Sequence, residues 1–522
     1  MKNKLIIVSL LVFLLTGLST SSFFLNEHLT SVISKKEHSN IQLAFAIDQK
    51  NVTALRFAWE KVQPQSKKWL KLTKELAKTQ GDAAYQLALY YQAEFKIKPK
   101  QAIFWYKSAI RLNYLEASTG LALLYFQQGN LIKAAEVLDA LPVELFEKLS
   151  DEAIILKVNI AINQGEMSDI QKITSKYSQK LKSSKEGLLL LKDIQKYQIQ
   201  LSDNQVIDSS PLAMNCNNSI QLFATTVNHL KRLESLILDF KKQPLNDSVC
   251  FSPVRYMAID SLDCTNEKDE SIQCNEVNWW PWANSINTRY VGLMLPQGGA
   301  NVHFGVLYLD AKDSVDVVAH EISHLLGFVD EYPLISEHVK CQTIQKDMFS
   351  QNISVLKNKY QGRRKVIRAS ILKQVAWSKH INNSTPILQS AIDLNGEHYW
   401  KLGTPEEFKH ETGVFNAQTC NNSAFKSKDD FSAFKPVSYG TKLQYFSLNF
   451  PPLYSKFIQV SLNQFSMPSF HYNIALAYFQ QAPLQQSSFQ HRSIEKAKYW
   501  LEQAANREHD SDRQKKIRKG GF

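Results

Sequence analysis

Two histidines and a glutamate in the middle of the chain form the pattern that most directly predicts chemistry. His320 and His324 are four residues apart, and Glu321 directly follows the first histidine. On a helix these two imidazoles share one face and can bind a single Zn²⁺ ion through nitrogens at about 2.0–2.1 Å. Glu321 is then placed to accept a proton from a water on that ion. We therefore predict a zinc site with Glu321 as catalytic base.

The flanking residues favour the helix that this geometry requires. Asp313 or Ser314 can cap its amino terminus, and Gly327 is typical of the residue that ends a helix. Apolar residues recur at helical spacing and predict a buried stripe made of Val318, Ile322 and Leu325. The two histidines lie on another stripe of the same helix, so they point in the same direction.

A sharp turn at Gly327 brings Asp330 back towards the imidazoles and makes it the predicted third ligand. A fourth position is then open to water, which is the arrangement of a catalytic zinc site. Glu331 and Glu337 stay open as alternative third ligands. An ordinary buried helix, in which both histidines only pack, is the competing interpretation of the whole motif.

A family resemblance rests on the run HEISHLLGFVDEY, from His320 to Tyr332. It resembles the extended zinc signature of the metzincins, with an aspartate in place of the usual third histidine. It is most similar to the IgA-peptidase-type zinc metallopeptidases, whose signature also ends in Asp-Glu-Tyr. The resemblance is strong over this run and weak over residues 216–456.

The resemblance implies a metzincin-like catalytic domain with His320, His324 and Asp330 as zinc ligands and Glu321 as catalytic base. Metzincins also have a methionine-containing turn beneath the metal. Residues 435–445 resemble that turn, but Leu443 stands where the methionine belongs. Two residues later, Tyr445 matches a tyrosine that stabilises the oxyanion in some metzincins, and the resemblance implies that role for it.

The first 25 residues have the pattern of a secretory signal. Lys2 and Lys4 precede an uncharged apolar run from Leu5 to about Leu18, and small residues follow. The run can also extend to Leu25 and persist as an uncleaved membrane anchor. Both alternatives predict export, to the periplasm or cell envelope of a bacterium or beyond it.

All six cysteines lie in one region of this exported chain, between residues 216 and 420. An even number in such a context predicts disulfide bonds. Closure of short loops favours one set among the pairings that six cysteines allow: Cys216–Cys250, Cys264–Cys274 and Cys341–Cys420.

Residues 38–205 have a helical pattern that contains a repeat. Four pairs of residues recur at an offset of 34, the length of a tetratricopeptide unit: Ala83 and Ala117, Leu87 and Leu121, Ala88 and Ala122, Tyr91 and Tyr125. These segments resemble the SEL-like relatives of tetratricopeptide repeats.

A further copy of the helical repeat is predicted at the far end of the chain, over residues 469–508. There Ala497 and Trp500 correspond to Ala102 and Trp105. One helical pair cannot bury its apolar face alone, so we expect it to dock on the catalytic domain or on the N-terminal array. Residues 509–522 are predicted to form a solvated, frayed basic tail, and attraction to an anionic membrane or to envelope polymers is the alternative.

Residues 210–465 change character and are predicted to form the metallopeptidase domain. The pattern predicts a helix over 219–241, strands over 255–259, 289–295 and 302–309, and a helix near 353–377. A strand directly before the zinc helix fits a zincin sheet, whose edge strand pairs with an extended substrate peptide. The predicted fold class is multidomain: an all-α repeat region, an α+β zincin-like domain and a closing helical pair.

The composition limits the classes of partner that the chain is expected to bind. The chain of 522 residues is 44% hydrophobic and 21% charged, which is typical of globular domains and excludes disorder. Its net charge of +12 comes without an aromatic-interleaved basic motif, so nucleic acid is not expected. The expected partners are a protein or peptide substrate, a protein bound by the helical repeats, and a membrane if the N-terminal segment is not cleaved.

Two functions follow from these patterns. The first is an exported zinc metallopeptidase that hydrolyses peptide bonds. The second is a cell-envelope scaffold or binding protein whose repeats recruit partners and whose zinc domain is structural or inactive. Retention of Glu321 favours the enzyme, because an inactive site often loses its base.

Overall fold

A computed structural model describes residues 23–93, 98–146, 150–199, 216–265, 270–425, 431–482 and 487–522. These residues form two compact units, one comprising residues up to 160 together with 172–189, the other comprising 161–171 and 190–522. Most of the predicted export segment, residues 1–22, lies outside the described residues. None of the helices in the described ranges is long and apolar enough to cross a bilayer.

The chain is helical as far as residue 199. The helices of this region are α1 (residues 23–34), α2 (Asn40–Asp48), α3 (Val52–Glu60), α4 (Lys67–Leu76), α5 (Gly81–Gln92), α6 (Pro99–Arg111), α7 (Glu116–Gln127), α8 (Leu131–Asp139), α9 (Val143–Phe146), α10 (Asp151–Gln164), α11 (Met167–Lys176), α12 (Ser178–Ser183) and α13 (Lys185–Lys196). The predicted N-terminal helical region is therefore present.

The sequence repeat in this region is also a packing repeat. Ala83 on α5 and Ala117 on α7 are both fully buried, and Leu87 and Leu121 occupy equally buried positions. Helix α5 packs on α6, and α7 packs on α8. Small side chains at these positions let the helices of a pair approach closely. This explains why alanines recur at the offset of 34 residues.

The second unit contains every strand of the described chain. The strands are β1 (Ser219–Ala224), β2 (Cys250–Phe251), β3 (Arg255–Tyr256), β4 (Cys264–Thr265), β5 (Gln273–Cys274), β6 (Tyr290–Leu295), β7 (Asn301–His303), β8 (Val306–Asp310), β9 (Ser354–Lys357), β10 (Lys359–Tyr360), β11 (Leu388–Ile392), β12 (His398–Leu402), β13 (Phe415–Asn416) and β14 (Phe431–Lys435). Its helices after residue 199 are α14 (Val227–Phe240), α15 (Trp280–Ala283), α16 (Val315–Leu325), α17 (Arg364–Leu372), α18 (Pro452–Phe465), α19 (Phe470–Gln481), α20 (Ser487–Ala505) and α21 (Ser511–Arg518).

The main sheet has the order β2-β1-β6-β8-β7, and β3 also pairs with β1. All its pairings are parallel except that of β7 with β8. Helices α14 and α16 pack on β1, β6 and β8. Central strands β6 and β8 are buried throughout because helices cover the sheet, which explains their continuous apolar sequence.

The prediction of one continuous strand over 302–309 is wrong. The segment is a hairpin in which β7 and β8 run antiparallel, closed by Phe304 and Gly305 with φ of +39° and +84°. Positive φ at both central residues is the geometry of tight hairpin turns. The apolar residues on both sides of Phe304 conceal this turn in the sequence. Strand β7 thereby becomes the edge strand of the sheet.

Two helix predictions in this unit also need correction. Residues 219–241 begin with β1 and become helical only at Val227, where Thr226 caps α14 by accepting a hydrogen bond from the His229 N–H at 3.2 Å. The β-branched and aromatic residues before the cap fit a strand in the centre of the sheet. Residues 353–377 contain β9 and β10 before the shorter α17.

The C-terminal helical pair docks on the main sheet. One hydrophobic core includes Phe223, Leu293 and Tyr308 of the sheet together with Ala497 and Trp500 of α20. Trp500 is fully buried there, and Arg289 at the start of β6 donates to Glu508 at 2.7 Å in a fully buried ion pair. The expected docking on the sheet-containing domain is therefore present.

The predicted frayed tail is wrong for residues 511–518. They form α21, whose first turn is capped by Asp510 accepting from the Arg513 N–H at 2.7 Å. Ile517 is fully buried, and the Arg513 guanidinium lies 2.8 Å from the Glu508 carboxylate. Lys515, Lys516 and Arg518 lie on the exposed side of this packed helix, whereas Arg513 is buried.

The three predicted disulfides are confirmed. They are Cys216–Cys250, Cys264–Cys274 and Cys341–Cys420. The second joins directly opposed residues of the β4–β5 hairpin. The third lies within a small core that includes Val355 and Phe431. Such bonds fit a chain that folds in an oxidising compartment.

Candidate metal centre

Helix α16 carries the predicted site and has the predicted ends. Ser314 is its N-cap and accepts a hydrogen bond from the Val317 N–H at 3.3 Å. At the other end Gly327 has φ of +88°. Gly327 N–H donates to the His324 carbonyl, and Phe328 N–H donates to the Ser323 carbonyl. This pair of bonds is a Schellman motif, which turns the chain sharply after the helix.

The turn brings Asp330 back onto the two histidines. Asp330 Oδ1 lies 3.1 Å from His320 Nε2 and 3.2 Å from His324 Nε2. The two Nε2 atoms are themselves 3.2 Å apart. Among the described residues this is the group of histidine, cysteine and carboxylate side chains whose ligand atoms could hold a metal ion.

The triangle fits three ligands of one tetrahedral ion. Bonds of about 2.0–2.1 Å place tetrahedral ligands about 3.3 Å from each other, close to the three separations seen. Asp330 Oδ1 is buried and has no hydrogen-bond partner of good geometry. A buried acceptor without a donor is costly, and a cation at the centre of the triangle removes that cost.

The outer nitrogens of both imidazoles are held by backbone carbonyls. His320 Nδ1 lies 2.7 Å from the Lys442 carbonyl oxygen, and His324 Nδ1 lies 3.1 Å from that of Phe328. A carbonyl only accepts, so each Nδ1 carries the proton and donates. Each Nε2 therefore directs a lone pair at Asp330 when its ring is neutral, as a metal ligand requires.

Electrostatics within the cluster also favour positive charge. Burial acts to lower the pKa of His324, but the negative charge of the Asp330 carboxylate outweighs it and raises that pKa to about 10. Burial acts to raise the pKa of Asp330, yet the two imidazoles hold it well below its usual range. The carboxylate thus stays ionised and attracts either protons or a metal cation to the imidazoles.

Glu321 lies beside this cluster in a buried position. Burial is the largest effect on its carboxyl and raises its pKa, although the charges of His324 and His320 act to lower it. A carboxylate with a raised pKa is a better proton acceptor than an exposed one. The structure thus brings the four residues His320, Glu321, His324 and Asp330 together.

Glu331 and Glu337, the alternative third ligands, do not join the cluster. Glu331 accepts hydrogen bonds from Lys435 Nζ at 2.7 Å and from the Tyr454 hydroxyl at 2.6 Å. Its side chain is fully buried in this network, away from the histidines. Glu337 accepts a hydrogen bond from the neighbouring Ser336 hydroxyl. The geometry therefore favours Asp330.

The segment resembling a methionine turn lies against α16. Lys442 contributes its carbonyl to His320, and its ammonium donates to Asp316, one helical turn earlier, at 2.7 Å. Leu443 is fully buried, and its carbonyl accepts from the Glu331 N–H at 2.9 Å. The segment thus contacts both the histidine helix and the loop that carries Asp330.

Tyr445 has an exposed side chain, 59% accessible, at the end of this segment. Its role stays a prediction. A different tyrosine, Tyr332, contacts the cluster: its ring stacks on His320 with centroids 6.4 Å apart and planes at 13°. Burial, then the negative charge of Asp330, raise the pKa of Tyr332. Sequence reasoning missed Tyr332, although its position two residues after Asp330 was a signal.

Comparisons with known proteins add no family. No protein-family model matches this sequence, and no curated protein matches it. Among solved structures, Haemophilus influenzae LpoA, determined in a monoclinic form with two molecules per asymmetric unit, has 11% identity and a TM-score of 0.14. The match covers 55% of this chain and 58% of that protein's chain. A TM-score this low does not establish a shared fold.

Proposed function

We propose that this chain is an exported zinc metallopeptidase that hydrolyses peptide bonds. The observation that carries the proposal is the mutual separation of 3.1–3.2 Å among His320 Nε2, His324 Nε2 and Asp330 Oδ1, with Glu321 beside them. Two imidazoles and one carboxylate that leave a fourth position open are a donor set of catalytic zinc enzymes. The metzincin-like motif His320–Tyr332 belongs to the same proposal.

The ion would supply Lewis acidity, by lowering the pKa of a water molecule and polarising the scissile carbonyl. Glu321 accepts the proton of that water and later delivers it to the leaving amine. Its burial raises its pKa, which suits a group that must both accept and return a proton. The Tyr332 hydroxyl, beside Asp330, is a hydrogen-bond donor for negative charge that develops on the substrate oxygen.

An extended polypeptide is the proposed substrate. Strand β7 is the last strand on its side of the main sheet within the described chain, and it pairs antiparallel with β8. Helix α16, which carries the two histidines, begins a few residues after β8 and contacts β7. The edge strand therefore lies next to this helix. A peptide that adds to such an edge gains backbone hydrogen bonds independent of its side chains.

The three disulfides support an extracytoplasmic location, in the periplasm or cell envelope or outside the cell. The helical repeats of the first unit are proposed to bind a protein partner. Membrane attachment through residues 1–25 belongs to the same proposal and depends on whether that segment is cleaved.

The test is the Glu321→Gln variant. We expect it to retain one zinc per chain by elemental analysis and to lose at least about a hundredfold of its turnover of an unfolded protein substrate, because the proton acceptor is gone. Glu407→Gln, which neutralises an exposed glutamate, is the matched control and should keep full activity.

Two results would contradict the enzyme. One is undiminished turnover by Glu321→Gln. The other is an unmutated chain that holds zinc but cleaves nothing in an envelope protein fraction, which would favour the scaffold hypothesis.

A further inference from the structure

A long stretch of the second unit contains no acidic residue. Between Met348 and Ile392 there is neither aspartate nor glutamate, whereas the following basic residues occur: Lys357, Lys359, Arg363, Arg364, Lys365, Arg368, Lys373 and Lys379. Almost all of these side chains are exposed. This stretch of the sequence is therefore strongly basic.

The charge arrangement on α17 opposes the stability of that helix. Arg363 is the N-cap and offers no side-chain cap, and Arg364 and Lys365 follow in the first turn. Cations at this end oppose the helix dipole, and Arg364 repels Arg368 four residues on. Burial and this repulsion lower the pKa of Arg368. An external anion would remove these unfavourable interactions.

Strands β11 and β12 form a hairpin beside α17, and its tip is apolar. Leu394 in the turn is fully exposed, with 106% relative accessibility, and Ile392 at the end of β11 is 60% exposed. Single exposed aliphatic residues are common on protein surfaces. Two of them at the tip of one hairpin, within a basic surface, form an amphipathic element.

Aromatic residues follow behind the apolar tip. Tyr399 pairs with Ala391, and Trp400 pairs with Ser390, one and two positions back from Ile392. Because neighbouring residues of a strand project to opposite faces, these two rings lie on the two sides of the hairpin. The aromatic layer is therefore about 3–7 Å behind Ile392, at about 3.3 Å per residue.

Positively charged side chains lie one residue further from the hairpin tip than the aromatic residues. Lys401 pairs with Gln389 on one side and with Lys359 of β10 on the other, about 10 Å behind Ile392. Lys359 Nζ lies 5.3 Å from the Tyr399 ring centre, and Arg364 Cζ lies 5.4 Å from that of Trp400. Each face of the hairpin thus has a cation next to its aromatic ring.

The turn also contains two carboxylates. Asp393 shapes it, since its Oδ1 accepts from the N–H groups of Asn395 at 2.9 Å and Glu397 at 2.8 Å. The Glu397 side chain is exposed. The negative charge of Glu397 opposes approach to an anionic surface. Removing this charge should therefore strengthen binding to such a surface, whereas removing a cation should weaken it.

We infer that the β11–β12 hairpin docks this chain on an anionic lipid bilayer. Leu394 and Ile392 enter the boundary of the acyl chains, Tyr399 and Trp400 lie at the level of the headgroups, and the cations contact anionic phosphates. Interfacial elements bury their apolar side by about 5–10 Å, which matches the order and spacing of these layers. A soluble acidic polymer would use the cations but would not need the aliphatic tip.

Cosedimentation of the full-length chain with vesicles tests the inference. Binding should be stronger to phosphatidylcholine vesicles that contain phosphatidylglycerol than to pure phosphatidylcholine. Leu394→Ser should lower the partition coefficient about tenfold, the effect of withdrawing one buried leucine. Lys359→Gln with Lys401→Gln should lower it about 25-fold on the anionic vesicles alone, about fivefold per lysine. Glu397→Gln should raise it.

Matched controls lie in the first unit. Ile132→Ser removes an aliphatic residue that is 69% exposed, and Lys98→Gln with Lys100→Gln removes two exposed lysines. Both should leave binding unchanged. Equal losses in hairpin and control variants would overturn the inference. A second combination of results would also overturn it. In that case the two lysine substitutions weaken binding to soluble polyglutamate, and Leu394→Ser leaves binding to vesicles unchanged.

A second measurement tests the hairpin itself. It stays informative if residues 1–25 anchor every variant to the vesicles. Lipids brominated in their acyl chains should quench part of the tryptophan fluorescence, and Trp400→Phe should remove that quenched part. Trp69→Phe, at a buried position of the first unit, is the control and should not alter the quenching. Identical quenching in the chain and in Trp400→Phe would show that the hairpin does not reach the bilayer.

Discussion

The two sides of the candidate metal site, the cluster of His320, His324 and Asp330, are positioned in different ways. His320 and His324 lie on α16, where helical spacing alone puts both imidazoles on one face. Asp330 lies in a loop after the helix, and distant residues hold this loop: Thr419 donates to the Asp330 carbonyl, and Tyr454 donates to the neighbouring Glu331 from 123 positions away along the chain. One side of the cluster is therefore local, and the other is made by tertiary structure.

The loop side is held by a dense set of buried polar contacts. Asn352 clamps Val329 with two hydrogen bonds, of 2.9 and 2.8 Å. Thr419 donates to the Asp330 carbonyl at 2.8 Å, and Glu331, the residue after Asp330, pairs with Lys435. A buried network of this kind fixes one conformation only if every member is satisfied. Loss of one member should thus affect the position of Asp330 more than the positions of the histidines.

The largest effect is expected from Glu331→Ala. This change leaves the Lys435 ammonium buried without its partner and should lower the free energy of unfolding by about 3–5 kcal/mol. The loop that presents Asp330 loses its anchor, so the zinc content after dialysis against a chelator should fall as well. Thermal unfolding and elemental analysis measure the two effects.

A double variant separates loss of the fold from loss of the ligand. Glu331→Gln with Lys435→Met removes both charges, keeps similar volumes and should restore most of the stability. Its zinc affinity should lie between those of the unmutated chain and Glu331→Ala. Full zinc affinity in a stably folded Glu331→Ala variant would show that the loop does not depend on this pair.

The junction between the two sides should be the next most sensitive position. Gly327→Ala places a Cβ atom in a clash with the carbonyl group of Phe465, at a residue with φ of +88°. Left-handed backbone and the clash together should cost about 3 kcal/mol of unfolding free energy. Zinc binding should fall with it.

Gly396→Ala is the matched control for Gly327→Ala. Gly396 also has positive φ, at +81°, but a Cβ there meets no atom within 4 Å. It should show only the smaller backbone effect and no change in zinc content. Equal losses in the two glycine variants would mean that close packing at Gly327 has no special role.

The smallest effect is expected on the histidine side. Ser314→Ala removes the N-cap of α16 and should cost about 1 kcal/mol, measured by chemical denaturation. Zinc affinity should stay within about twofold, because the spacing of the histidines needs no cap once the helix is packed. A large loss of zinc from this variant would break the distinction between the two sides.

Prediction from sequence succeeded where the controlling interactions are short in range. The helix ends at Ser314 and Gly327 were predicted because caps are local chemistry. The disulfides Cys216–Cys250 and Cys264–Cys274 span 34 and 10 residues, and closure of short loops is favoured. It failed at the β7–β8 hairpin, where the Phe304–Gly305 turn interrupts an apolar run that reads as one strand. Tyr332 was missed for a related reason, since its contact with His320 needs the chain to reverse at Gly327.

By itself the sequence determined the residues that could do chemistry, their register on a helix, and the 34-residue period of the repeats, because each depends on spacing along the chain. Only the tertiary structure decided between Asp330 and Glu331 as third member of the cluster. Both carboxylates lie within reach of the histidines in sequence. The choice was made by Lys435 and Tyr454, which bind Glu331 and leave Asp330 facing the imidazoles. A buried carboxylate points to wherever its compensating donors are, and here those donors come from distant parts of the chain.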